Sequence, residues 1–456
     1  MSGRFPENFI WGAASSAYQI EGHATEDGGG LSIWDKFTHT PGKIAYEDNG
    51  DTACDSYHRY MEDIMLVKNA GMHAYRFSTS WARIDPNADG NWNKAGLAYY
   101  DKVVDACIEN GITPYMTLYH WELPQSAEDR GGWQRRETAE AFGRFAAMMA
   151  EHFKGRVMNY FTLNEPQCTV NMGYVQGLHA PGLHLGLEGE FTCWKHQLLA
   201  HGLAMRAIKA VDPEALVGLA STGNLCYPSQ ETAEDIAAAR KATFTTDKDR
   251  WTFSHHWLLD PVCLGRFPED GGAELQALVL SVSAEDMEII HTVPDILGYN
   301  IYNGHEVRAT ADGFEQLARY PGFPRTGIKW PVSPEVMDYG VRFLSERYGI
   351  PAYISENGLS CNDRIYLDGK VHDVERIDFL TRYLRCLCRA VENGAKLIGY
   401  FQWSLTDNFE WHSGYGERFG LVYVDFPNGT RTPKDSYYWY KELIKNGNPE
   451  FYLPEY

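Results

Sequence analysis

The chain has 456 residues and a mass of 51.7 kDa, enough for about three average domains or one large α/β barrel at roughly 150 residues per domain. Its 61 Asp and Glu against 41 Lys and Arg give a net charge of −20, which repels a phosphate-coated partner and so argues against nucleic-acid binding. The same deficit argues against a polybasic membrane surface, and no apolar run approaches the roughly 18 to 20 residues that span a bilayer.

The start, MSGRFPENFIWG, has no charged segment followed by an apolar one, so a secretory precursor is not expected and a cytoplasmic location is. Nine cysteines, at 54, 107, 168, 193, 226, 263, 361, 386 and 388, form an odd set without a C-x-x-C pair or zinc-like His spacing. Reduced, mostly buried thiols are therefore expected. Phe, Trp and Tyr make up 14% of the chain, a surplus over core needs that points to a pocket stacking flat ligands.

In chain order, a first β-rich run lies near 9–14. The amphipathic stretch MLVKNAG ends at Gly71 and leads into MHAYRFS, a strand near 74–78. Asn93 is placed to cap KAGLAYYDKVV, and DACIENG then ends at Gly111 before ITPYMTLYH, a strand near 113–118. Further strands are expected near 160–163 and 215–220. The stretch 221–295 has no clear strand; it is expected to hold a helix around 231–243 and a large loop near HHWLLDPVCLGRFPEDGG that walls the mouth of a site. A sixth strand follows near 296–300. Ser333-Pro334 supplies an N-cap and first-turn proline for EVMDYGVRFL, FLSERYG ends at Gly349 before IPAYIS (352–355), and CRAVENG ends at Gly394 before AKLIGYFQW (397–401).

Four times, then, a helix ends at a glycine that tolerates the left-handed conformation, and a continuous apolar run suited to a buried parallel strand follows. Eight strands interleaved with helices, without a linker or low-complexity tract, predict a single (β/α)8 TIM barrel with long βα loops over residues 1–456. A doubly wound sheet with a second domain is the alternative.

Functional groups of such a barrel lie at the C-terminal strand ends, and here those ends are polar and aromatic. Gln19 follows strand one, Arg76 lies in strand two, and His120 and Trp121 end strand three. Asn164 and Glu165 end strand four, Asn300 and Tyr302 follow strand six, Glu356 ends strand seven, and Trp403 ends strand eight. Glu410, Trp411 and Phe419 come just after. Amides and carboxylates that hold hydroxyls, beside indoles that hold a ring face, describe a carbohydrate pocket.

Glu165 and Glu356 stand out. A Glu before a Pro is ordinarily a solvated turn residue, and two of the three ENG tripeptides, at 109–111 and 392–394, merely end helices. In 356–358 the preceding Pro351 and the β-like AYIS exclude a helix end. Two carboxylates on one rim meet the need of retaining glycoside hydrolysis for a nucleophile and a proton donor about 5 to 5.5 Å apart.

The sequence resembles the retaining β-glucosidases of glycoside hydrolase family 1, through FIWGAASSAYQIEG, SWARI, TLYHWELPQ, TLNEP, LGYNIY, ISENG, FQWSLTDNFEW and RFGLVYVDF. The resemblance implies Glu165 as acid/base and Glu356 as nucleophile, with Arg76 and Tyr302 beside the nucleophile. It implies Gln19, His120, Asn164, Glu410 and Trp411 for the terminal sugar's hydroxyls and Trp403 as its stacking platform. Trp121, Asn300 and Phe419 join the expected substrate pocket, and Trp330 matches an aglycone-side tryptophan. There are departures: Gln167 and Cys168 replace the Trp that often follows NEP, Ser355 replaces a Thr, and Glu122 stands where Asp is common. The expected partner is a small β-glycoside carrying glucosyl, galactosyl or fucosyl residues. No cofactor and no metal are implied. A 6-phospho-β-glycosidase is disfavoured by Glu410, a catalytically dead sugar-binding protein by the presence of both glutamates, and a transglycosidase remains on the same scaffold.

Overall fold

The computed structural model describes residues 3–454. Eight parallel strands close a barrel: β1 Ile10–Ala14, β2 Ala74–Ser78, β3 Thr113–Tyr119, β4 Asn159–Asn164, β5 Leu216–Ser221, β6 Ile296–Asn300, β7 Ala352–Asn357 and β8 Leu397–Trp403. Each strand pairs with its neighbours in sequence, and β8 closes on β1, with Ala14 opposite both Trp403 and Arg76. The architecture is the expected (β/α)8 barrel rather than a doubly wound sheet, and the strands fall within two residues of their expected bounds.

The four predicted junction glycines, Gly71, Gly111, Gly349 and Gly394, all have φ between 67° and 89°. A side chain there would meet the steric penalty of the left-handed region, so glycine lets each helix stop where its strand must begin. Asn93 caps Lys94–Glu109 as expected, accepting from the Ala95 N–H at 3.2 Å. Ser333 does not cap its helix. Its hydroxyl accepts from the Gly304 N–H at 2.9 Å, and the helix begins later, at Val336, after a turn at Pro334-Glu335.

Two main apolar cores result, beside a small cluster of Ile20, Cys54 and Val424. The barrel interior holds a compact set that includes Ala14, Tyr115, Phe161, Tyr353, Phe401 and Trp403, while a larger core fills the space between barrel and helices. The interior is tight: a Cβ on Gly298 would lie 2.6 Å from the Ser355 hydroxyl, so only glycine lets β6 approach the strand end that carries Glu356.

The stretch 221–295 contains the expected helix, as Ala233–Thr243. It departs from expectation beyond it, because His255–Leu259 and Asp260–Leu264 are helical and Trp257 is fully buried, so this segment packs as core rather than forming a mouth loop. Cys226–Pro228 instead pairs with His305–Thr310, which pairs in turn with Gly313–Gln316, in a small sheet outside the barrel. All nine cysteines are unpaired, and eight are buried. Among the described residues no helix is long and apolar enough to cross a membrane.

Candidate active site

A cavity of about 440 Å³ opens at the C-terminal strand ends, within the size range of small-ligand pockets. Its wall carries His120, Trp121, Glu165, Asn300, Tyr302, Trp330, Glu356, Trp403, Glu410 and Trp411. Four other expected site residues, Gln19, Arg76, Asn164 and Phe419, are nearly fully buried and stand behind that wall.

Glu356 ends β7 where the ladders to both neighbouring strands shift register. Such irregularities re-aim a side chain off the regular pleat. Arg76 donates to one carboxylate oxygen at 2.7 Å and the Tyr302 hydroxyl to the other at 2.9 Å. Arg76 is itself fixed by Thr117 Oγ1, the Ser355 carbonyl and Asn164 Oδ1, and lies over the Phe161 ring. Burial raises the Glu356 pKa, but Arg76 and Tyr302 oppose that rise by favouring the anion.

Glu165 follows β4, whose pairing with β5 also shifts before Asn164. It has φ 46°, and its N–H donates to the Ala220 carbonyl at 2.9 Å. Pro166 then opens a short helix that turns the chain away. Trp121 and Trp411, at φ 80° and 50°, share this uncommon left-handed backbone, as do eight non-glycine residues off the cavity wall among the described residues. The nearest donor to Glu165 is the neutral amide of Asn300, at 2.8 Å. Burial first, and then the Glu356 charge, push the Glu165 carboxyl up to about 8.

Asn300 also donates to Asn164 Oδ1 at 3.1 Å and accepts from the Ser355 hydroxyl at 2.6 Å. Asn164 Oδ1 thus serves Arg76 and Asn300, so its amide nitrogen faces His120 Nε2 at 3.2 Å. That contact makes Nε2 the acceptor and leaves the His120 proton on Nδ1, which has no protein partner. Burial, followed by the nearby Arg76, keeps this imidazole neutral.

At the other end Gln19 Nε2 donates to the Phe409 carbonyl at 2.8 Å and to Glu410 at 3.4 Å. Burial, then Glu356, push Glu410 up to about 8. The Trp121 indole N–H is committed to the Asn164 carbonyl at 2.9 Å, so Trp121 offers the cavity its ring and not its donor. Trp411 packs on Trp121 at 4.5 Å, and Trp330 packs on Tyr302 at 5.0 Å with Phe419 behind both. Gln167 is fully buried and donates to the Ser221 hydroxyl at 3.0 Å, so the wall beside Glu165 is made by Cys168, Met172 and Phe253.

Sequence reading did not find Arg250, Phe253, His305 or Arg319, which line the same cavity. Arg250, Phe253 and Arg319 lie in loops and His305 opens a strand outside the barrel, none within a motif, and only the folded chain brings them together. One group with metal-ligand geometry occurs among the described residues, His23, Glu26 and His58, with donor atoms within 4.8 Å of one another. It is half-exposed and shares no residue with the cavity wall.

A (β/α)8 barrel that presents two carboxylates in unlike environments at one rim has the layout of a glycoside hydrolase. The profile of Glycosyl hydrolase family 1 matches residues 1–449, and the chain belongs to that family. It is 40% identical to Beta-glucosidase A of Acetivibrio thermocellus over 97% of this chain and 98% of that protein. It is 39% identical to the bifunctional beta-D-glucosidase/beta-D-fucosidase of Bifidobacterium breve, over 96% and 98%. The solved structure of the Thermotoga maritima beta-glucosidase in complex with deoxynojirimycin superimposes with a TM-score of 0.89 at 37% identity, covering 98% of this chain and 99% of that one.

Proposed function

We propose that the chain is a retaining, exo-acting β-glucosidase that works as one catalytic unit over residues 1–456. Its substrates are terminal non-reducing β-D-glucosyl residues of oligosaccharides and aryl or alkyl glycosides, with galactosyl and fucosyl residues as further glycones. The observation that carries this reading is the asymmetry of the two carboxylates. Glu356 is held by a guanidinium and a phenol, which stabilise its anion, whereas Glu165 meets a neutral amide and is pushed up to about 8. A nucleophile must be ionised and an acid protonated near neutral pH.

In this mechanism a Glu356 oxygen attacks the anomeric carbon while Glu165 passes its proton to the departing glycosidic oxygen. The carbon–oxygen bond to the aglycone breaks, and a glycosyl ester on Glu356 forms. As charge leaves Glu356, the Glu165 pKa falls, which suits its second role. It then takes a proton from water, whose oxygen displaces Glu356 and restores the β configuration. Asn164 and His120 are assigned to sugar hydroxyls, Gln19 and Glu410 to the far end of the ring, and Trp403 to its face. A 6-phosphate is disfavoured because the wall cations are Arg250 and Arg319, on the leaving-group side, and none adjoins Glu410. The reading is tested by proton NMR of the first sugar released from an aryl β-glucoside. The β-anomer is expected, and initial α-anomer overturns it.

A further inference from the structure

The cavity changes sign along its length. Its most buried wall residues include Glu165, Glu356 and Glu410, each below a tenth exposed. Its outer wall instead carries Arg250, which is exposed, and Arg319 and His305, which are half-buried. In a chain with an excess of 20 acids over bases, unpaired cations facing a cavity are informative. Arg319 donates one N–H to the Gly304 carbonyl at 2.6 Å and lies over Phe323; Arg250 lies over Phe253. Among the described residues neither guanidinium has a carboxylate partner, although Asp247 and Asp249 flank Arg250 in sequence.

These cations lie on the side of the proton donor. Cys168 lies against Glu165, its backbone N–H donating to the Glu165 carbonyl at 3.0 Å, and its thiol feels the Arg250 charge. Burial first, then Arg319 and Arg250, hold His305 below the ordinary imidazole range, which puts all three groups in one neighbourhood. His305 Nδ1 accepts from Gln316 at 2.7 Å, so its remaining proton sits on Nε2 as a neutral donor. Phe253, Met172 and Trp330 supply apolar surface in the same cavity.

We infer that the leaving-group side selects β-glucosides whose aglycone is a flat or apolar body ending in an anionic group, a carboxylate above all, held by Arg250 and Arg319. The inference rests on Glu165 being the group that protonates the leaving group, since that fixes which side of the cavity holds the aglycone. A guanidinium without a carboxylate partner keeps its fork geometry for a ligand anion. The buried glutamates do not cancel this attraction, because Glu165 and Glu410 are both held toward the protonated form.

The test compares 4-carboxyphenyl β-D-glucoside with its methyl ester on the full chain. The ester releases the better leaving group, so chemistry alone favours it. An acid-over-ester ratio in kcat/KM of about tenfold is expected, carried by KM and shrinking in about 0.5 M salt. R250Q combined with R319Q should collapse the ratio, and R319K, which keeps the charge but loses the fork, should retain it in part. If neither glucoside is hydrolysed, the β-glucosidase reading itself falls. If both are hydrolysed and the ester is equal or better, or the ratio ignores the arginines, this inference is overturned while that reading stands. It is also overturned if the arginine variants lose activity chiefly on an aryl glucoside 6-phosphate.

Discussion

At the inner end of the cavity one cation, Arg76, faces three buried carboxylates, Glu165, Glu356 and Glu410, whereas at the root of the segment carrying Glu410 three cations meet three carboxylates. In that second cluster Lys434 donates to Asp363 at 2.5 Å and to Asp407 at 2.6 Å, Arg418 donates to Asp407 at 2.7 Å, and Arg376 bonds both Asp363 and Asp373. Both clusters are withdrawn from water, yet their titration differs. Burial raises Asp363, but Arg376 and Lys434 outweigh it and hold the carboxyl at about 2. Glu165 and Glu410, with less positive charge near them, go to about 8. Asp373 shows the boundary: burial outweighs Arg376 there and raises it. Burial pushes each of these acids toward its neutral form, and the cations beside it decide whether that push is overcome. The balanced cluster anchors Asp407, three residues before Glu410; the unbalanced one is poised to move a proton.

The largest expected effect comes from removing a member of the unbalanced cluster. Glu356→Ala should lower kcat on every β-glucoside by on the order of 10⁵ or more. Glu165→Ala should cost roughly 10² to 10⁴, and chiefly with poor leaving groups such as that of cellobiose, because a dinitrophenolate departs without a proton. Added azide separates the roles: the β-glycosyl azide is expected from Glu165→Ala and the α-azide from Glu356→Ala. The reverse pairing would exchange the assignments.

Next in size is damage to the balanced cluster. Lys434→Met leaves Asp363 and Asp407 each short of a cation, and breaking a buried pair in this way costs about 3 to 5 kcal/mol. A fall in the urea midpoint measures it. Because Asp407 also accepts from the Gly420 N–H at 3.0 Å, and Gln19 bonds the neighbouring Phe409 carbonyl, KM for a glucoside should rise as well. An unchanged midpoint would mean that the network carries no net stability.

The two clusters also differ in how far the sequence reveals them. Strand ends near a rim, helix-ending glycines and the motifs TLNEP and ISENG place both glutamates, Arg76 and Tyr302 in one region, and the barrel brings them together. The balanced cluster escapes such reading, because Asp363, Asp373, Arg376, Asp407, Arg418 and Lys434 come from separate loops and helices with no repeating interval. The left-handed backbone at Glu165, Trp121 and Trp411 is equally hidden, since none is a glycine and the conformation is imposed by the closed structure. Gln19 and Phe419 show a limit of scale. Motifs place them at the site but do not separate the wall from the layer behind it.

A pH profile sharpens the comparison further. The kcat/KM of an aryl glucoside should fall on the alkaline side as Glu165 loses its proton, near its value of about 8, and on the acid side as Glu356 gains one. Asn300 favours the ionised form of both glutamates. Asn300→Ala should therefore move both limbs upward in pH, and a downward shift of either would contradict the hydrogen-bond assignment.

The smallest expected effect is on stability, where the two clusters should answer with opposite signs. Glu165 has its pKa raised from 4.5 to about 8 by burial and by Glu356. The folded state therefore binds a proton that the unfolded state has lost between those values. This favourable contribution is complete below about 4.5 and disappears as pH rises through about 8. Glu165→Gln removes the ionisable group while keeping an oxygen for the Asn300 amide at its present place. The variant should match the wild type near pH 4 and gain on it with rising pH, reaching about 1 to 2 kcal/mol at pH 9. Asp363, held at about 2 against an ordinary 3.8, works the other way. Its contribution is present above 3.8 and is lost as pH falls through 2, so Asp363→Asn should be destabilised at pH 9. Parallel urea titrations of the two amide variants at pH 5 and pH 9 decide the matter. If both substitutions destabilise at pH 9, the carboxylates at the cavity floor are not in excess over their cation, and the contrast between the two clusters does not hold.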